Sequence, residues 1–240
     1  MILPPDDQGK LRFAAISRTA LGTRCARLRE LGLFYSRLPK LQCDKVIHLG
    51  GVTETAAPEL ARIYPQVEGV TTLELANGRY APCGGRMARE GRADWVTTPN
   101  RIPLTLRPPE GVRNETILCL YYDRSGDRGL SEIADEVMSA ASGGGDSPAR
   151  TEREWGMSGL VPDTQHSYVI LVGGQRRLAH RYFSLFGFIG SVGVFDAPWR
   201  RHGAPQPYGG TIVEVKLHDD GSLDTCTLIF RDMSGGMPDV

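Results

Sequence analysis

Five histidines, His48, His166, His180, His202 and His218, are the residues of this chain best able to carry a proton or a metal near neutral pH. Their spacing does not assemble them: no pair stands at helical i, i+4, and neither H-x-E nor H-x-x-x-H occurs. His48 lies inside an apolar run, where a hydrogen-bonded structural histidine is the expected role. His218-Asp219-Asp220 has the residue types of a metal cluster but coincides with a turn, which by itself accounts for aspartate there. No G-x-S-x-G elbow, G-x-x-x-x-G-K-[ST] loop or strand-borne G-x-G-x-x-G occurs, so motifs point to no catalytic residue, no metal and no cofactor. A dispersed acid–base set drawn from His48, His180, Asp196 and Asp219 stays open.

Arginine is the other chemistry-bearing residue. Between positions 79 and 107 stand Arg79, Arg86, Arg89, Arg92, Arg101 and Arg107, interleaved with Tyr80 and Trp95. Cations beside stacking aromatics suit a sequence-tolerant single-strand binder, with Arg79, Arg86, Arg89, Arg92 and Trp95 as contacts. A solvated, glycine-rich loop between strands fits the same residues, and both readings stand.

The elements that would position these groups are mostly strands. Val46 to Thr53, Gly69 to Leu75, Ile102 to Leu106, Thr116 to Tyr122, Ser167 to Val172 and Tyr182 to Phe195 are β-branched, aromatic or alternating runs. Thr211 to Leu217 and Thr225 to Phe230 flank Asp219-Asp220-Gly221-Ser222, whose Asp-Gly step predicts a hairpin. Residues 11–35 carry a loose helical period with basic residues between. Residues 130–141 place Leu130, Ile133, Ala134, Val137 and Met138 on one helical face. A Gly-rich stretch over 142–150 reads as a flexible joint. The expected fold is mainly β, a β-sandwich or barrel with an N-terminal helix and one mid-chain helix. Residues 1–45 form a basic, partly helical segment and 46–240 a β-rich domain.

With 240 residues, 40% apolar and 23% charged, the chain can bury a sizeable core, and wholesale disorder is not expected. The net charge is zero, but residues 1–113 hold 17 Lys+Arg against 11 Asp+Glu, and the remainder the reverse. No run approaches the roughly 18 apolar residues of a membrane helix. The first residues lack a signal peptide's basic and apolar regions. Cys25, Cys43, Cys83, Cys119 and Cys226 are odd in number and form no C-x-x-C, which fits a reducing, cytoplasmic compartment.

Val46 to Asp123 resembles the core of the 30K superfamily of plant-virus cell-to-cell movement proteins. The matching residues are the apolar strand Val46 to Val52 and the alternating strand opened by Gly69, with Leu73, Leu75, Asn77 and Arg79 at motif positions. The family's aspartate falls on Asn77, an amide that keeps the shape but carries no charge. The resemblance implies a jelly-roll-like sandwich without enzymatic activity, which binds single-stranded RNA or DNA, self-associates and carries nucleic acid through plasmodesmata at the host-cell periphery. Three alternatives remain open. One is a viral structural protein of matrix or capsid type, assembling through Tyr182 to Phe195. Another is an enzyme whose site is not visible as a motif. The third is a cellular binding module with no viral link.

Overall fold

The computed structural model describes residues 6, 8–53, 60–75, 87, 89–98, 101–104, 114–123, 125–126, 128–134, 166–184, 187–196 and 207–235. Its first strand, β1 (Lys10–Ile16), lies where a loose helix was expected. Phe13 and Ala15 face one apolar cluster while Ala14 and Ile16 face another, so the segment alternates with period two. The alanines disguise it, since they suit a helix as well as a buried strand between two covered faces. The N-terminal helix is confined to α1 (Leu28–Arg37).

Further along the chain come β2 (Lys45–His48), α2 (Leu60–Ile63), β3 (Thr71–Leu75), β4 (Trp95–Thr98), β5 (Arg101–Pro103) and β6 (Glu115–Tyr122). The last five strands are β7 (His166–Gly173), β8 (His180–Ser184), β9 (Gly187–Ser191), β10 (Gly209–Leu217) and β11 (Leu223–Asp232). They form one six-stranded sheet, β11-β10-β1-β2-β3-β4, and one five-stranded sheet, β5-β6-β7-β9-β8.

Strand direction overturns the expected jelly roll. β1, β2, β3 and β4 run parallel to one another, as do β6, β7 and β9, whereas a jelly roll is antiparallel. Two mixed sheets with parallel centres make this an α/β protein. Parallel strands are covered on both faces and read as near-continuous apolar runs, as in Leu118-Cys119-Leu120 and Val169-Ile170-Leu171-Val172. The sequence pattern shows such runs but not their direction.

The core is layered accordingly. Phe13, Ile47, Leu73, Leu118, Val169, Phe188 and Val213 fill the space between the sheets. Leu31, Phe34, Tyr35 and Leu38 of the α1 region pack on the outer face of the first sheet against Val46, Ile212 and Phe195. Residues 130–134 are helical, and Leu130, Ile133 and Ala134 cover the outer face of the second sheet at Cys119 and Ile170. The rest of the expected mid-chain helix, and the 142–150 joint, lie outside the described residues. The β10–β11 hairpin is present, and Gly221 takes φ +84° in its turn.

Candidate anion-binding site

In an α/β sheet, the carboxyl ends of parallel strands expose backbone groups and loops, and ligands bind there. The two parallel-rich sheets of this protein end together. Immediately after β1, Ser17 accepts a hydrogen bond at Oγ from Gly174 N–H after β7 (2.9 Å) and donates to the Gly193 carbonyl after β9 (3.2 Å). Its backbone N–H donates to the Gly193 carbonyl, and its own carbonyl accepts from Phe195 N–H. One buried serine therefore joins the first sheet to two strands of the second.

The turn that follows is strained. Arg18 and Ala20 adopt φ of +50° and +46°, a left-handed region costly for residues with a Cβ. Their N–H groups donate to the Gly50 and Gly51 carbonyls beyond β2, which hold the turn in place. Gly50 has φ +106°, and a Cβ there would come within 2.9–3.2 Å of the Tyr122 ring. A Cβ on Gly51 would meet the Tyr122 hydroxyl at 2.8 Å and the Arg18 backbone at 3.0 Å. Tyr122, at the end of β6, thus lies flat on bare backbone that only glycine can supply.

This turn aims Arg18 at Asp196, which follows β9. The Oδ2 atom of Asp196 accepts from Arg18 Nε (3.3 Å) and Nη2 (3.2 Å), and also from Nη2 of Arg176 (3.1 Å), in the loop after β7. The Asp196 side chain is only 4% exposed, whereas Arg18 and Arg176 retain 16% and 21%. Among the described residues no donor reaches the buried Oδ1 of Asp196, and no acceptor reaches Nη1 of Arg176.

A second arginine–aspartate pair shows what a closed arrangement looks like in the same protein. Arg92 donates from Nε and Nη2 to the two oxygens of Asp94, both at 2.7 Å, and from Nη1 and Nη2 to the Tyr64 and Pro65 carbonyls. These are the lengths of a strong bidentate charge-assisted pair. The Arg92 guanidinium holds the Asp94 carboxyl below its usual range. Around Asp196, by contrast, two cations share one oxygen at 3.1–3.3 Å, and among the described residues a buried donor and a buried acceptor go unfilled.

On the other side of the strained turn, His48 is fully buried. Gly50 N–H donates to its Nδ1 (3.2 Å), so the ring proton sits on Nε2, facing Thr19 Oγ1 at 3.0 Å. Thr19 Oγ1 in turn donates to the Val52 carbonyl. Burial lowers the His48 pKa to about 3, and the ring stays neutral. Its role is to tie the ends of β1 and β2 together. Of the dispersed acid–base candidates, His48 and Asp196 flank one turn. His180 lies exposed on the edge strand β8, stacked on Phe188. Asp219 is exposed in the β10–β11 turn, at the opposite end of the sheet because Leu217 lies beside Gly9 and Lys10 starts β1.

The arginine stretch is distributed differently from a continuous surface. Trp95 is buried in β4, donating from Nε1 to Glu74 (2.9 Å) and packing edge-on against Tyr64. Arg92 is buried in its pair with Asp94, and Arg89 is exposed. Gly69 precedes β3 at φ +76°, and Leu73 and Leu75 are core residues. Arg79, Arg86 and Asn77 lie outside the described residues.

Arg18 and Arg176 were not singled out in combination by any motif. The available signal was a pair of glycines directly after an apolar run, Gly50-Gly51 and Gly173-Gly174. An open groove of about 620 Å³ lies at the other end of β1, between Lys10, Arg12, Asp44, Glu214 and Lys216. Ion pairs there join Arg12 to Glu214, Lys45 to Asp44 and Lys216 to Asp224, and among the described residues it lacks the unfilled buried atoms of the Asp196 cluster.

No protein-family model matches the chain, and no curated protein matches it. Among solved structures it is similar to Vps29 from Entamoeba histolytica (TM-score 0.37, 11% identity, 93% of this chain and 99% of that one). It is also similar to a novel archaeal phosphodiesterase (TM-score 0.44, 9% identity, 92% and 100%) and to GAP50 of Plasmodium (TM-score 0.47, 10% identity, 95% and 86%). With the implied jelly roll replaced by two parallel-rich sheets, the 30K resemblance is corrected. The non-enzymatic movement function and the plasmodesmal and host-cell placement that depended on it go as well. A capsid-type β-sandwich fails on the same topology. Among the described residues no helix is long and apolar enough to cross a membrane.

Proposed function

We propose that this protein recognises a small oxyanion-bearing ligand where the parallel strands of its two sheets end together, with Arg18 and Arg176 as the binding cations. The reading follows the open alternative of a site assembled from dispersed residues. One observation carries it: the Arg18–Asp196–Arg176 cluster is long-bonded and under-filled, whereas the Arg92–Asp94 pair of the same chain is closed. A buried polar atom without a partner is costly, and such atoms are retained where a ligand completes them. In the cluster two guanidiniums face one carboxylate oxygen. The guanidinium fork matches the oxygens of phosphate and carboxylate groups. Two arginines converging from different sheets would also stabilise negative charge developing on a bound oxyanion, which is the chemistry such a site can contribute to a reaction.

Calorimetric titration of the full chain with inorganic phosphate, sulfate and acetate tests the reading. Saturable binding of at least one of them is expected. Arg176→Gln and Arg18→Gln should each weaken it by about tenfold or more, since a hydrogen bond to a charged group is lost. Lys216→Gln, in the groove at the far end, should leave it unchanged. Absence of saturable binding, or equal affinity in Arg176→Gln, would overturn it.

A further inference from the structure

Asp196 is a poor companion for an ordinary anion. It is itself anionic, it is almost fully buried, and its Oδ1 has no donor within reach among the described residues. An oxyanion drawn in by Arg18 and Arg176 must settle beside that oxygen. If the arriving oxygen has no hydrogen, two sets of lone pairs face each other in a low-dielectric setting and the contact is repulsive. If it carries a proton, it donates to Oδ1, and the last acceptor of the cluster is filled. Arg176 Nη1 remains to meet an unprotonated oxygen of the same group. The two unfilled atoms therefore specify a ligand with an acceptor and a donor on one small anionic centre.

Building on the anion reading above, we propose that Asp196 is a specificity-determining residue that selects oxyanions still bearing a proton, of the hydrogen-phosphate type, over fully ionised ones such as sulfate. The two ions are nearly the same in size and shape, so the arginines alone distinguish them little. The difference lies in a P–OH hydrogen that sulfate lacks at neutral pH. A buried carboxylate discriminates by that hydrogen in the way buried polar groups reject analogues that leave them unpaired.

Among the described residues, no other group satisfies Asp196 Oδ1. The preceding residue, Phe195, is fixed in the core edge-on against Phe34, with ring centres 5.4 Å apart. Phe195 N–H donates to the Ser17 carbonyl, so the backbone entering Asp196 is held by the same serine that joins the sheets. The charged groups bonded to the carboxylate are Arg18 and Arg176, and both use the other oxygen.

The experiment is a matched titration of the full chain with phosphate and sulfate at constant ionic strength and pH 7, followed by methyl phosphate across pH 5 to 8. Phosphate should bind about tenfold or more tightly than sulfate, the effect of one hydrogen bond to a charged group. Methyl phosphate has a single ionisable proton left in this range, lost near pH 6. Its affinity should fall toward tenfold per pH unit above that point. In Asp196→Asn the preference for phosphate should collapse, since a carboxamide can turn its N–H toward an unprotonated oxygen. If phosphate and sulfate bind equally and both are lost in Arg176→Gln, the selectivity proposal is overturned while the anion site stands. Methyl phosphate binding that strengthens with rising pH overturns it independently of any variant. If neither ion binds at all, the anion reading itself fails.

Discussion

Ser17 Oγ accepts the Gly174 N–H at 2.9 Å, and this contact joins the residue just past one sheet's central strand to the loop leaving the other sheet. It places Arg18, the next residue, within reach of the Asp196 carboxylate beyond β9 and of an arginine after β7. A hydroxyl in this position satisfies a buried donor and a buried acceptor together, which no apolar residue of similar size can do.

Ser17→Ala therefore leaves Gly174 N–H buried without a partner. A loss of about 1–3 kcal/mol in unfolding free energy is expected, read from denaturant titration. Anion affinity should fall as well, because Arg18 loses its anchor. Unchanged stability would mean that the sheets are joined by other contacts.

Acid should destabilise the protein through His48. Its pKa is about 3 when folded and near 6.5 when exposed, so the unfolded chain binds the proton more readily. The stability it contributes is complete above pH 6.5 and is lost progressively as the pH falls toward 3. The slope should approach 1.4 kcal/mol per pH unit, about that of one proton. His48→Gln should flatten the unfolding free energy between those limits. A slope identical to the parent would remove His48 as the cause.

The edge strand β11 depends on a side chain from the other sheet. Tyr182 OH donates to the Cys226 carbonyl and accepts from Cys226 N–H, both at 3.1 Å. Tyr182→Phe uncovers both groups on an edge that would otherwise pair with another strand. Amide exchange at Cys226 should accelerate, with a stability loss of about 1 kcal/mol. Exchange at the parent rate would show that the hydroxyl does not cap the edge.

Arg92→Gln serves as the counterpart to the Arg18 and Arg176 variants. Removing one partner of a buried pair costs about 3–5 kcal/mol. Melting temperature should drop clearly while phosphate affinity per folded molecule stays the same. A matching loss of affinity would place Arg92 in the binding site after all.

The amino-acid sequence by itself determined where most strands would lie, because β-branched and apolar runs bounded by glycine and proline are local properties. The hairpin at Asp220-Gly221 was legible for the same reason: a positive φ is a demand on one residue, and glycine answers it. Strand direction was not legible. Leu118-Cys119-Leu120 is equally apolar beside a parallel or an antiparallel neighbour, and only the tertiary pairing of β6 with β7 decides. β1 was hidden because alanine at positions 14 and 15 serves helix and buried strand alike. The candidate site was hidden more deeply. Arg18, Arg176 and Asp196 are separated by up to 178 positions and share no motif. Their meeting depends on two sheets ending at one serine, and in the bare sequence Arg92 and Arg176 look the same. The fold decides which arginine is closed on its aspartate and which keeps a donor unfilled.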